Sequence, residues 1–192
     1  MDSRRMEQVK SLRDEFDSGD FVKVQGRTDL FNGRVQLLVE KIRRVNPDQD
    51  KGQGFREEDC VLCAPRPVEE MWSELESLIQ HVRDPFVREL LQRISTQHAG
   101  KLRIWPAAQT VHHAYRSGFL EHILSVARSA LTLGASYSAN QDLLTAGALL
   151  HDIGKLEELE YDRSTSYTRD GNLVGHVTLG TMMVRAAIAA IP

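Results

Sequence analysis

A histidine followed directly by an aspartate, His151-Asp152, closes the apolar run Leu143-Leu144-Thr145-Ala146-Gly147-Ala148-Leu149-Leu150. A chain of 192 residues with seven histidines contains such a pair by chance roughly half the time, so its setting carries the information. At the end of a packed helix, an imidazole and a carboxylate are costly to bury unless they are hydrogen-bonded or bound to a cation. Adjacent side chains there can converge on one ion. Neutral imidazole and ionised carboxylate suit Mn²⁺, Fe²⁺, Zn²⁺ or Co²⁺, and the mixed nitrogen and oxygen set argues against a calcium cage. Water activated on such an ion is the usual nucleophile for phosphoester hydrolysis.

His122 is the natural third ligand, because it belongs to a separate apolar helix that can lie against the one carrying the pair. A lone helical histidine is equally an ordinary packed residue. His176 has apolar residues at the following third and seventh positions, so it faces the core and is a candidate fourth ligand. His112 and His113 follow Pro106 in a loop, where solvent exposure and phosphate contact compete as readings. Lys155, three residues after Asp152, can aim a cation at a phosphate, and Arg116 is a further anion contact. His81 and His98 have no supporting context. Cys60 and Cys63 form one isolated C-x-x-C without a second pair, and are read as two reduced thiols. The chain has no G-x-x-x-x-G-K-[ST], G-x-G-x-x-G or G-x-S-x-G to support a nucleotide loop or a serine hydrolase.

These residues need helices to position them. Met6, Val9, Leu12 and Phe16 recur at helical spacing and predict a short opening helix. From Phe21 the period changes to alternation, with Val22 and Val24, then Val35, Leu37 and Val39 on either side of Asn32-Gly33. That is a β-hairpin signature. Asn46 to Gly54 is polar and reads as a flexible linker. Pro67 opens a helix through Met71, Leu75 and Val82, and Asp84-Pro85 restarts another through Leu90, Leu91 and Ile94. A helix from Gly118 to near Gly134 places His122 in its first two turns. Asn140 or Asp142 caps the next, whose nearly continuous apolar surface predicts a central position. Asp170-Gly171 predicts a turn between Tyr167-Thr168 and Leu173-Val174, and a last helix starts near His176.

Hydrophobic residues at 41% and charged residues at 27% describe an ordinary soluble chain, without an apolar run of the roughly 20 residues that spans a bilayer. The charged first residues resemble no secretory signal, so the expected location is the cytoplasm. The net charge of −3 excludes a uniformly basic nucleic-acid binder. It conceals a basic stretch, in which Lys23, Arg27, Arg34, Lys41, Arg43 and Arg44 face only Asp29 and Glu40. That stretch is either a solvated face or a phosphate-tracking surface, with Lys23 and Arg34 as its candidate contacts.

His112-His113-Ala114-Tyr115-Arg116-Ser117-Gly118, Leu120-Glu121-His122 and Gly147-Ala148-Leu149-Leu150-His151-Asp152-Ile153-Gly154-Lys155 resemble an HD domain. More narrowly, Tyr167-Thr168, Gly171-Asn172-Leu173 and Gly175-His176 resemble the YhaM-type 3′-5′ exoribonucleases. Gly19 to Val24 and Gly33 to Leu37 resemble the closing part of that family's OB-fold. The resemblance implies a mainly α protein, with a helical HD domain at 67–192, a linker at 47–66 and a partial OB-like β segment at 1–46. It carries His122, His151 and Asp152 over as metal ligands, with His176 as an additional one, and gives Asp152 and Lys155 catalytic roles. Further ligands are expected beyond Pro192, so the chain reads as an interior fragment of the family pattern. The implied cofactor is a divalent ion, Mn²⁺ first, with Mg²⁺, Co²⁺, Fe²⁺ and Zn²⁺ as alternatives. The implied partner is single-stranded RNA, with single-stranded DNA and an oligomeric assembly also open. The residues alone also permit a phosphohydrolase of small phosphate esters, a nucleic-acid-binding module without catalysis, or a structural helical domain.

Overall fold

The computed structural model describes residues 15–17, 19–162 and 164–191. The opening helix expected from Met6 to Phe16 lies, apart from its last two residues, outside them. The chain divides into two compact units, 1–60 and 61–192.

In the first unit, β1 (Val22–Phe31) pairs antiparallel with β2 (Arg34–Arg44), and Phe31 stands opposite Arg34. Asn32 and Gly33 take φ of 50° and 75°, the left-handed pair that a two-residue hairpin turn requires. The register slips between Gln25 and Gly26, whose partners Lys41 and Val39 leave Glu40 unpaired, so β2 carries a bulge. The stretch read from composition as a flexible linker instead folds back on the hairpin as α1 (Pro47–Asp50) and a turn of 3₁₀ helix, Lys51–Gln53. Charge neutralisation is the reason. The Asp50 side chain is 2% exposed and accepts from Lys23 Nζ at 2.9 Å, from Arg43 Nη1 and Nη2 at 2.8 and 2.7 Å, and from the Asn46 amide at 2.9 Å.

Arg43 above all, then Lys23, holds the Asp50 carboxyl below its ordinary value of 3.8. A carboxyl depressed on folding stabilises the fold fully above its unfolded pKa, and loses that contribution as pH falls through the folded one. Asp50→Asn is therefore expected to lower hydrogen-exchange protection factors across Val22–Arg44 at neutral pH. The gap to the wild type should narrow as pH drops below 3.8.

The second unit is helical. Its elements are α2 (Val68–His81), α3 (Pro85–Gln97), α4 (Ala99–Ile104), α5 (Gly118–Ser136), α6 (Gln141–Leu150) and α7 (Lys155–Glu158). A small hairpin of β3 (Leu159–Tyr161) and β4 (Thr165–Tyr167) follows, then α8 (Arg169–Val174) and α9 (His176–Ala189). Helix α5 is the centre of the core. Its Phe119, Leu120, Ile123, Leu124 and Ala127 recur at helical spacing and are buried against Met71, Leu75 and Ile79 of α2 and Leu149 of α6. Fully burying one such side chain stabilises by about 1.5–3 kcal/mol.

Local signals set the helix starts. Asp84 accepts from the Phe86 and Val87 amides at 2.9 and 3.0 Å with Pro85 at the first helical position, and Asn140 caps α6 in the same way. Asp142 has a different task. Its carboxylate accepts from the Arg83 and Asp84 amides at 3.1 and 2.9 Å, tying the entrance of α6 to that of α3.

Two expectations change. Helix α6 is buried on one face only, because Leu143, Ala146, Gly147 and Leu150 line an open groove with Val177, Gly180 and Val184 of α9. Asp170-Gly171 is no hairpin turn: Thr168 Oγ1 accepts from the Gly171 amide at 2.9 Å and starts α8 instead. The antiparallel pair in this region is instead β3 with β4.

Candidate metal centre

Three elements bring the site together. His122 lies in the second turn of α5, His151 ends α6, and Asp152 follows in the turn leading to α7. One ligand atom from each lies within 4.8 Å of the others. His122 Nε2 and His151 Nε2 are 3.2 Å apart, and each is 3.3 Å from Asp152 Oδ2. His151 Nδ1 lies 2.9 Å from the Ala148 carbonyl, which can only accept, so Nδ1 carries the proton and Nε2 is free to ligate. Two imidazole nitrogens at that separation repel unless a proton or a cation lies between them. With the carboxylate oxygen beside both, the donor set fits a first-row divalent ion.

Asp152 is buried, and its charge is compensated on all sides. Burial opposes ionisation, but His122, His151 and Lys155 outweigh it and hold the carboxyl far below the usual range. Asp152 in turn raises the His151 imidazole above its ordinary value. Lys155 Nζ sits 2.8 Å from Oδ2 with its side chain 12% exposed, so a compact ammonium is held at the site. On the other side, His176 Nε2 approaches Asp152 Oδ1 at 3.5 Å.

The approach of His176 depends on Gly154. A Cβ there would lie 2.0 Å from the His176 carbonyl oxygen and 2.5 Å from the Gly180 nitrogen. Only a residue without a side chain lets the first turn of α9 pass so close to the turn carrying Asp152.

A profile of the HD domain matches residues 119–191, which include His122, His151, Asp152 and His176. Residues 119–191 carry an HD domain. It is 34% identical over 159 residues to the 3′-5′ exoribonuclease YhaM of Bacillus subtilis (strain 168), an alignment covering 82% of this chain. The chain spans about half the length of that curated relative, 49%. No solved structure matches it. HD domains belong to the metal-dependent phosphohydrolases, and within this one His122, His151 and Asp152 bring their ligand atoms close enough together to share one ion.

The loop before α5 adds a histidine rim to the HD centre. The His112 and His113 rings lie 5.2 and 5.6 Å from that of His122. His112 is exposed, and burial together with His122, Lys155 and His113 lowers its pKa. His113 Nδ1 is 2.9 Å from the Tyr115 hydroxyl and 3.0 Å from Glu121 Oε2, and Tyr115 donates to the same carboxylate. Burial and Glu121 push the Tyr115 hydroxyl up to about 12.

Arg116 is tied by its backbone, donating to the Leu62 carbonyl at 3.0 Å and accepting from the Ala64 amide at 2.9 Å. Lys23 and Arg34 belong to the first unit. There Lys23 pairs with Asp50, while Arg34 is exposed at the hairpin turn. His81 meets the Ser77 carbonyl of its own helix, and Cys60 and Cys63 are free thiols.

Sequence reasoning missed Glu158 and Glu121. Glu158 Oε1 accepts from both the Nδ1 and the backbone amide of His176, each at 2.9 Å. Lys155-Leu156-Glu157-Glu158-Leu159-Glu160 offers three carboxylates with nothing to tell them apart, and only the packing selects the second. Glu121 adjoins a ligand, but its partners lie in a loop whose path the sequence does not reveal.

Proposed function

We propose that the chain is the catalytic part of a metal-dependent exonuclease that shortens single-stranded RNA from its 3′ end, with Mn²⁺ as the preferred ion. The convergence of His122, His151 and Asp152 beside a buried lysine carries this reading, and the likeness to YhaM supplies the substrate. A divalent ion bound there polarises a phosphoryl oxygen and lowers the pKa of water.

The chain's own residues do the rest. Asp152 orients His122, His151 and Lys155 through one oxygen. Lys155 sets its ammonium against the phosphate and stabilises the charge that grows on it as the P–O3′ bond breaks. His112 is exposed on the rim to meet the next phosphate, and His113 is kept in place behind it by Tyr115 and Glu121. Arg116 and, in the first unit, Arg34 and Lys23 are the candidate contacts for the strand's backbone. Lys23 is the weakest of these because Asp50 already engages it.

The test is degradation of 5′-labelled single-stranded RNA with Mn²⁺, Mg²⁺ or chelator, beside His151→Ala. We expect a ladder shortening from the 3′ end that needs the ion and is absent in the variant. His151 is 38% exposed at a helix end, so the variant should keep its far-ultraviolet circular dichroism. Unchanged metal stoichiometry in His151→Ala would defeat the reading. Hydrolysis of mononucleotide esters with intact oligomers would redirect it to small phosphate esters.

A further inference from the structure

We infer that Glu158 is a positioning residue for the metal centre: it holds the His176 ring in the Nδ1–H form and turns Nε2 toward Asp152. The inference rests on the reading of this site as a cation site.

Glu158 is 8% exposed, and His176 is its ion-pair partner among the described residues. A carboxylate withdrawn from water is costly without compensation, and a structural one is ordinarily matched by arginine or lysine. Here the compensation comes from two donors of one residue, the His176 amide and Nδ1. An ionised carboxylate can only accept, so the proton on a neutral His176 must reside on Nδ1. Asp152 Oδ1 is also only an acceptor, but at 3.5 Å from Nε2 it is farther than Glu158 at 2.9 Å from Nδ1, so the ring proton faces Glu158 and Nε2 keeps its lone pair on the side of Asp152. A carboxylate behind a histidine fixes the ring's orientation and raises its basicity as a ligand.

The surrounding chain is arranged to keep Glu158 in place. Its carbonyl accepts from the Thr168 amide at 2.9 Å and from Thr168 Oγ1 at 3.2 Å. A Cβ on Gly171 would lie 2.2 Å from that same carbonyl oxygen. Gly175, at φ 76°, then swings the chain so that the next amide, that of His176, points back at Glu158. The stretch from Thr168 to His176 thus holds Glu158 at two points, its backbone carbonyl and its carboxylate.

The test combines ¹⁵N NMR of the histidine rings in metal-stripped protein with calorimetric titration of Mn²⁺. Wild type, Glu158→Gln, His176→Ala and the double variant are compared. Wild-type His176 should show a protonated Nδ1 and an unprotonated Nε2, and Glu158→Gln should show a mixture of forms. Glu158→Gln should bind Mn²⁺ roughly tenfold more weakly, with no further loss when His176 is already alanine. Three results overturn the inference: a wild-type ring protonated on Nε2, equal Mn²⁺ affinity in wild type and Glu158→Gln, or the same Glu158→Gln penalty in the His176→Ala background. The ring measurement on wild type stands even if a variant does not fold. Absence of Mn²⁺ binding by the wild type would instead remove the cation site itself, whatever form the ring takes.

Discussion

Asp152→Asn should abolish high-affinity Mn²⁺ binding and also weaken the metal-free fold, although the replacement is nearly isosteric. Asp152 uses both oxygens. Oδ2 serves His122, His151 and Lys155 at 3.3, 3.3 and 2.8 Å, and Oδ1 faces His176 at 3.5 Å. An asparagine has one acceptor and one donor and no negative charge, so it neither offsets the ammonium nor attracts a cation as the carboxylate does. If its oxygen stays with Lys155, its amide group turns to His176; if it flips, the amide meets an ammonium. The loss of affinity should exceed the roughly 10- to 100-fold typical of removing an outer partner of a ligand. Without metal, Lys155 keeps a charge next to a neutral side chain at 12% exposure, which costs about 1–3 kcal/mol. Calorimetric titration and urea unfolding of the stripped protein measure the two effects. Full Mn²⁺ affinity in Asp152→Asn would show that the carboxylate charge is not what holds the ion.

Gly154→Ala should damage the centre without changing any candidate ligand side chain. Its φ of −63° is open to any residue, so the penalty comes from space alone. The new methyl would meet the His176 carbonyl and the Gly180 nitrogen, both backbone atoms that no rotamer change can move. Overpacking of this kind costs about 1–3 kcal/mol. It can be relieved only by lifting the start of α9, which carries His176 away from Asp152. The urea midpoint and Mn²⁺ affinity should therefore fall together. Gly147→Ala is the control: nothing lies within 4 Å of a Cβ there, and alanine in a helix interior favours the fold by roughly 0.5–1 kcal/mol. A Gly154→Ala chain as stable as wild type would mean that α9 has room to adjust.

What could be read from the sequence follows from the range of the interaction behind each feature. Asn32-Gly33, Asp84-Pro85 and Asn140 act on their immediate neighbours, and the structure has turns and caps at all three. His151-Asp152 was legible because an apolar helix runs straight into it. Features decided by distant partners were not legible. Asp50 reads as part of a polar linker until Lys23 and Arg43 fold onto it. Asp170-Gly171 has the composition of a turn, but Gly171 is there so that the chain can lie against the Glu158 carbonyl. The apolar surface of α6 predicts burial all round, yet one flank lines an open groove with α9.

His122 and His151 stand 29 residues apart in the chain, on different helices. An ion that binds both only in the folded state works as a removable cross-link, closing a loop that the unfolded chain would leave open. The melting temperature then depends on how much free ion the buffer holds. Above the dissociation constant, each tenfold rise in ion concentration adds about 1.4 kcal/mol to the stability of this unit.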